Sequence, residues 1–418
     1  MPTTDTVVVG AGQAGLAVSW HLTGRGHDHV ILERGRLGER WHSQRWDSLR
    51  LLTPNWMSGL PGWPYRGPDP DGFMTATDFA ARLRCYARVS AAPVREHSAV
   101  RAVDAVDGAF VVSTDDERWT CRNVVIATGW CDHPALSGLA TGLDQSIAQV
   151  ASSGYRNPSL LSAGGVLVVG ASATGVQLAR ELATAGRDVV LAVGSHTRIP
   201  RRYRGHDLYW WLAEVGSLDR TIDEVPEPVA ARTEPSLQLI GDPAVGDLDL
   251  AVLAALGVQF AGRLVRLDGH RAEFADDLAG SVHAADARLR RVLSDLDVLA
   301  DRWGIGRSEP PAPIGGLVAL RALDLRRRGI RTVLWATGYR RRYPWLHLGV
   351  LDRHGEIRQR RGVTPVPGLY VLGQRFQHFR SSNFIHGVGR DAAFVADHLL
   401  RRPSDRASAW SASQGRRT

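Results

Sequence analysis

Glycines carry the first chemistry in this chain, because two runs of them can present bare backbone N–H groups to phosphate. The first run is Gly10-Ala11-Gly12-Gln13-Ala14-Gly15, behind the apolar stretch 6–9. The second is Gly170-Ala171-Ser172-Ala173-Thr174-Gly175, behind 166–169. A strand that turns tightly into a helix aims free N–H groups and the positive end of the helix dipole at a pyrophosphate. Glycine serves where the chain turns, where backbone approaches phosphate and where helix packs on strand. The first run has all three glycines. The second has Ser172 in the middle place, where a small side chain is tolerable. Two such turns in one chain point to two dinucleotides held face to face, with electrons passing between them.

The end of the second strand in each unit tells the two apart. Val30-Ile31-Leu32 runs into Glu33. A carboxylate there accepts hydrogen bonds from both ribose hydroxyls and repels a 2′-phosphate, so the first site is expected to hold FAD or NAD. The later strand, 188–193, runs into Gly194-Ser195-His196-Thr197-Arg198 with no acid, and Arg201, Arg202 and Arg204 follow. A hydroxyl with guanidinium groups is what a 2′-phosphate needs. The second site is therefore expected to take NADPH, with Gly170, Ser172, Ala173, Thr174 and Gly175 around its pyrophosphate.

The elements that position these turns read as α/β, with two dinucleotide-binding, Rossmann-like domains. Residues 77–90 read as a helix with Asp78 in its first turn. Residues 97–126 read as strands, with Asp107-Gly108 as a hairpin turn. The segment 36–75 is turn-rich and aromatic, too long for a plain connector and so expected to be functional. Between about 205 and 310 the pattern weakens, apart from a helix over 282–303 with Val282, Ala285, Leu289, Val292, Leu296 and Trp303 near one face. A strand at 332–338, another at 368–373 and a helix at 387–400 close the chain, before a polar tail expected to be disordered.

Composition limits the chemistry further. The 51 basic residues counted as Lys plus Arg are all arginine, which removes Schiff-base lysine chemistry and the P-loop lysine. Cys85, Cys121 and Cys131 form no CxxC pair, which argues against a reductase dithiol and a zinc site. The charge is +8, but the arginines are scattered outside three short clusters, so nucleic-acid binding is not expected. No apolar window is long enough for a membrane span, and the first strand starts too early to leave room for a leader. A cytoplasmic protein is the expectation. Oligomeric state is left open, with a homodimer as one option.

Taken together, the motifs resemble those of the flavin-containing monooxygenases, the single-component FAD- and NADPH-dependent class related to Baeyer–Villiger and N- or S-oxygenating enzymes. The matching pieces are the first glycine turn with Glu33, Leu37-Gly38-Glu39-Arg40-Trp41, Arg45–Leu49, Ala127-Thr128-Gly129, the 153–158 segment ahead of the second glycine turn, Thr337-Gly338-Tyr339 and Gly368–Gly373. The resemblance implies a discontinuous FAD domain, 1–160 and 335–400, around an inserted NADPH domain, 161–334, that itself carries an insertion at about 205–310; 401–418 is the tail. It implies FAD contacts from Gly10, Gly12, Gln13, Gly15, Glu33, Arg34, Trp41, Val100, Ala127, Thr128, Gly129, Gly373 and Gln374, with the helix start Gly387–Asp391 at the flavin ring. It implies NADPH contacts from the second turn, Ser195, Arg198, Arg201, Thr337 and Gly338.

The function the resemblance implies is oxygenation of a small organic molecule by O₂ through a C4a-(hydro)peroxyflavin, at the expense of NADPH. The family's sequence usually has a histidine where this chain has Ala151, and that histidine belongs to the Baeyer–Villiger fingerprint. N- or S-oxygenation is therefore favoured. Leu51–Asn55 loosely matches a segment that puts an asparagine near the flavin, which makes Asn55 the catalytic candidate, against the alternative that Pro54-Asn55 is a turn pair. His378 and His386 flank Asn383, where an imidazole near the flavin could relay protons, although surface or core placement is the commoner role of such histidines. Tyr209–Trp211 could line a substrate pocket, and packing of the insertion against the FAD domain explains them at least as well. The competing reading is an NADPH-dependent flavoprotein reductase that passes electrons to a protein or quinone without oxygenating anything. A redox sensor that is no enzyme is the third.

Overall fold

The computed structural model describes residues 1–401. Its first unit runs β1 (Thr3–Val9), α1 (Gln13–Thr23), β2 (His29–Leu32), α2 (Ala76–Val89), β3 (Val94–Arg95), β4 (Ala102–Val106), β5 (Ala109–Ser113) and β6 (Arg118–Ile126). The second runs β7 (Ala148–Ala151), β8 (Gly165–Val169), α3 (Ala173–Thr184), β9 (Val189–Ala192), β10 (Gln259–Ala261), α4 (Leu278–Arg302), β11 (Ala319–Leu320) and β12 (Ile330–Trp335). The chain then returns to the first unit through β13 (Leu369–Val371) and α5 (Val388–Arg401).

The first sheet has the order β3-β2-β1-β6-β5-β4. Strand β6 forks: its first half pairs antiparallel with β5 and its second half pairs parallel with β13. The β4–β5 hairpin turns at Asp107 and Gly108, with φ of 49° and 78°. Positive φ at both positions matches the twist of the flanking strands, which is why Asp-Gly marks such a turn. Helix α2 starts at a capping box, with Thr75 and Asp78 each accepting from the other's backbone N–H. Helix α1 packs on α5 across an apolar core that includes Leu16, Leu22, Val388 and Val395.

The second sheet has the order β11-β10-β9-β8-β12-β7, parallel throughout. Strands β8 and β9 are buried along their whole length, as their Val/Leu-rich runs require of a sheet covered on both faces.

Three expectations about boundaries need correction. Strand β7 pairs with β12 from Ala148↔Thr332 to Ala151↔Trp335, so the second unit begins near 148 and not at 161. The insertion expected at 205–310 is interrupted, because β10 belongs to the sheet and 264–274 forms a small antiparallel sheet with Ala322–Asp324. Helix α4 starts earlier than 282, and Leu293 takes the core place expected for Val292, while Trp303 is 45% exposed. The polar tail expected over 401–418 lies, from 402 on, outside the described residues.

Candidate functional site

Both glycine turns have one geometry, repeated closely. Gly10 and Gly170 each have φ of 107°, and a Cβ on either would sit 2.7 and 2.6 Å from the carbonyl oxygen of Ala127 and Ala336. A Cβ on Gly15 or Gly175 would lie 1.9 or 1.8 Å from the oxygen of Gly10 or Gly170. The two Ala-Thr-Gly segments, 127–129 and 336–338, thus back the two turns in the same way. Gly12 and Ser172 both sit in extended backbone ahead of their helices, with φ of −85° and −78°. That conformation suits any residue, which is why serine can stand in the second turn.

In front of the first turn lies a cavity of about 480 Å³. Gly10, Gly12, Gln13, Glu33, Arg34, Trp41, Val100, Ala127, Thr128, Gly129 and Gly373 all line it. Of the residues expected to contact FAD, Gly15 is packed behind the turn and Gln374 faces Tyr343 and Gln377. Glu33 is 8% exposed, and its carboxylate accepts from the N–H groups of Ala11 (2.8 Å) and Gly35 (3.1 Å). Two donors fix the carboxylate while leaving lone pairs for a ribose diol. Arg40 ties the floor together, donating to the Thr128 carbonyl (2.7 Å) and to Asp132 (2.5 Å). Trp41 stands edge-on to Phe79 at 4.8 Å. Open space over Gly12, a pyrophosphate-ready helix start and an oriented acid at the end of β2 are a donor set that fits FAD.

The far wall of the cavity comes from three distant segments: Leu52 and Thr53 of the aromatic loop, Tyr209 of the insertion, and Asn383, Phe384 and Ile385 ahead of α5. Two expectations fail here. Asn55 is 6% exposed and does not reach the cavity; its amide donates to the Asp69 carbonyl and accepts from the Met74 N–H, both at 2.9 Å. It braces the aromatic loop. We expect Asn55→Ala to lower stability by about 1–3 kcal/mol through those two unpaired backbone groups, read by thermal melting, with flavin content unchanged. No residue of the helix start Gly387–Asp391 lines the cavity either; on that side the lining residues are Asn383–Ile385. Asp391 is buried, which pushes its carboxyl up to about 6. His386 is pushed down to about 4 by burial and then by Arg390, and His378 is also lowered by burial, so both imidazoles are neutral at pH 7. Of the aromatic trio, Tyr209 lines the cavity, Trp210 stacks on His206 at 3.9 Å, and Trp211 is fully buried with its indole donating to the Tyr203 carbonyl.

At the second turn, Ser195 is exposed at the end of β9, where a ribose phosphate would lie. Arg198 does not join it. Its guanidinium is 7% exposed and ion-paired to Asp249 (2.8 Å) and Asp286 (2.7 Å). Arg201 is likewise enclosed, between Asp207, the Leu52 carbonyl and the Phe73 ring. Both act as rivets between the insertion and its surroundings. Thr337 donates to the Ala135 carbonyl, and Gly338 accepts from Ala135, so this pair holds the crossover between units. The cation that does reach the end of β9 is Arg288 of α4, which donates to the His196 carbonyl while its Nε has no partner. The helix was legible, but its approach to β9 was not.

Among the described residues no cluster suits a metal ion, no helix is long and apolar enough to cross a membrane, and Cys85, Cys121 and Cys131 are all free.

Residues 7–210 match the family model for pyridine nucleotide-disulphide oxidoreductases. An oxidoreductase of Geobacillus kaustophilus named CzcO-like is 31% identical over 95% of this chain and 98% of its own length. The indole-3-pyruvate monooxygenase YUCCA1 of Oryza sativa is 28% identical over 96% of this chain and 93% of its own. Among solved structures, a flavin-containing monooxygenase from Stenotrophomonas maltophilia matches with a TM-score of 0.66 at 20% identity, over 96% of this chain and 99% of that one.

Proposed function

We propose that this chain, which belongs to the flavin-containing monooxygenase family, oxygenates a small nucleophilic molecule at nitrogen or sulfur, with NADPH as the electron donor. It is an oxidoreductase with FAD and NADP as its cofactors. FAD, when bound, would supply the redox and oxygen chemistry. The protein's own task is to position and enclose. Glu33 and the first turn hold the ribose and pyrophosphate of FAD, and Trp41 flanks the cavity. Ser195 and Arg288 take the 2′-phosphate of NADPH. Tyr209, Phe384 and Leu52 would shield the reacting end from water, and Asn383 is a polar residue there that would hold oxygen or substrate.

The observation that carries this reading is the cavity itself. Its far wall is assembled from the aromatic loop, the insertion and Asn383–Ile385, which surrounds the space next to the first turn with side chains from three segments. A disulfide reductase would need a second thiol beside Cys131, which lines the cavity; Cys121 is buried in β6, with its thiol pushed up to about 12 by that burial. Ala151 in place of histidine favours N- or S-oxygenation over the Baeyer–Villiger reaction.

Mixing reduced enzyme with O₂ in a stopped-flow cell tests this. A delay between oxygen uptake and peroxide release is the expected result, and Asn383→Ala should shorten the delay about tenfold, as loss of one hydrogen bond in an enclosed site does. Immediate, stoichiometric peroxide from the unmodified enzyme would sink the oxygenase reading in favour of a reductase.

A further inference from the structure

A second cavity, of about 260 Å³, lies apart from both nucleotide turns, where the insertion docks on the loop after β13. Arg232, Arg360, Arg361, Gln377 and His378 line it, together with a single carboxylate, Asp223. The docking is firm: the Ile222 N–H donates to the His378 carbonyl, and Thr221 bridges to Phe379. Arg360 engages Asp223 only loosely, at 3.7 Å and with both side chains more than half exposed. Arg232 and Arg361 form no ion pair among the described residues. Arg232 donates to the Phe376 carbonyl at 3.3 Å, and burial with the nearby Arg341 holds its guanidinium below the usual range. Arg361 lies over the Phe394 ring at 4.0 Å, and its Nε has no partner.

Two further groups are buried without partners at the same place. Gln377 is 1% exposed; its Oε1 accepts from the Gln374 N–H, and its Nε2 has no acceptor. His378 is 7% exposed, and its Nδ1 is unpaired. Buried polar atoms are ordinarily satisfied, so two together beside two uncompensated guanidiniums call for an acceptor. Arg361 and Gly362 form the two-residue turn between the paired Arg360 and Val363, and Arg361 holds left-handed backbone there, with φ of 52°.

We propose that this cavity binds a phosphoryl group, as free phosphate or a phosphomonoester. A tetrahedral dianion balances two guanidiniums and offers oxygens to donors arriving from several directions. A planar carboxylate brings half the charge and two oxygens. Arg232 and Arg361 provide the charge, and Gln377 Nε2 and the Nδ1-protonated tautomer of His378 provide the remaining donors.

The test uses enzyme saturated with FAD and NADP⁺, so that the nucleotide phosphate sites are filled. Inorganic phosphate and glycerol 3-phosphate are titrated separately by calorimetry. Saturable binding of at least one is expected, and tighter binding of one over the other identifies free phosphate or an ester as the source. Arg361→Gly should weaken binding about tenfold or more, as should Arg232→Gln. Glycine accepts the left-handed backbone, so Arg361→Gly should melt no lower than the parent. Absence of saturable binding by both probes, or parental affinity in both variants, overturns the proposal.

Discussion

Gly12→Trp is expected to give a colourless protein that still folds. Gly12 sits in extended backbone, and a Cβ placed on it meets no atom within 4 Å. The indole therefore enters the cavity, in the space the FAD pyrophosphate needs, and leaves the strand-turn-helix intact. Losing several charge-assisted N–H contacts to phosphate, at about 1.5–3 kcal/mol each, lowers FAD affinity by about a thousandfold or more. Flavin absorbance per protein is the readout, with circular dichroism to show the fold. Gly15→Ala makes the instructive contrast. Its Cβ would lie 1.9 Å from the Gly10 oxygen, so that variant damages the turn itself and should lower both flavin content and melting temperature. A yellow Gly12→Trp protein would mean that the FAD site lies elsewhere.

The difference between these two glycines shows what a sequence can and cannot reveal here. Strand, turn and helix are local, so the paired motifs, Glu33 and the Asp107-Gly108 hairpin were legible from neighbouring residues. Strand β7 was missed because Ala148-Gln149-Val150-Ala151 is too short to show a period of its own, with Gln149 exposed and the other three partly buried; its pairing with β12 is made across the whole second unit. The far wall of the cavity escaped for the same reason. Thr53, Tyr209 and Asn383 converge from three segments whose separations in the chain say nothing of their proximity. Asn55 was drawn to the site by a local pattern, yet its amide is spent on the Asp69 and Met74 backbone. Its role as a turn brace was the alternative that local chemistry already offered.

Arg198 and Arg288 exchange roles between sequence and structure, and their variants should separate cleanly. Arg198 follows the hydroxyl-rich end of β9, but its guanidinium faces Asp249, which also caps the helix Leu250–Ala255, and Asp286, which also accepts from the Ile314 N–H. Removing it leaves two buried carboxylates without a counter-charge. Arg198→Met should cost about 3–5 kcal/mol and lower the melting temperature of the second unit by roughly 10 °C, with NADPH and NADH affected alike. Arg288 is half-buried, holds the His196 carbonyl and forms no ion pair among the described residues, so its charge is available beside Ser195. Arg288→Glu removes a charge-assisted contact to the 2′-phosphate and sets an anion against it. KM for NADPH should rise about 30- to 100-fold while KM for NADH changes less than about threefold, since NADH has no phosphate to repel. The reverse result, selectivity lost in Arg198→Met and kept in Arg288→Glu, would return the 2′-phosphate to Arg198 and require its ion pairs to open when NADPH binds. Equal effects of Arg288→Glu on both nucleotides would make the helix α4 contact structural and leave Ser195 as the remaining mark of NADPH preference.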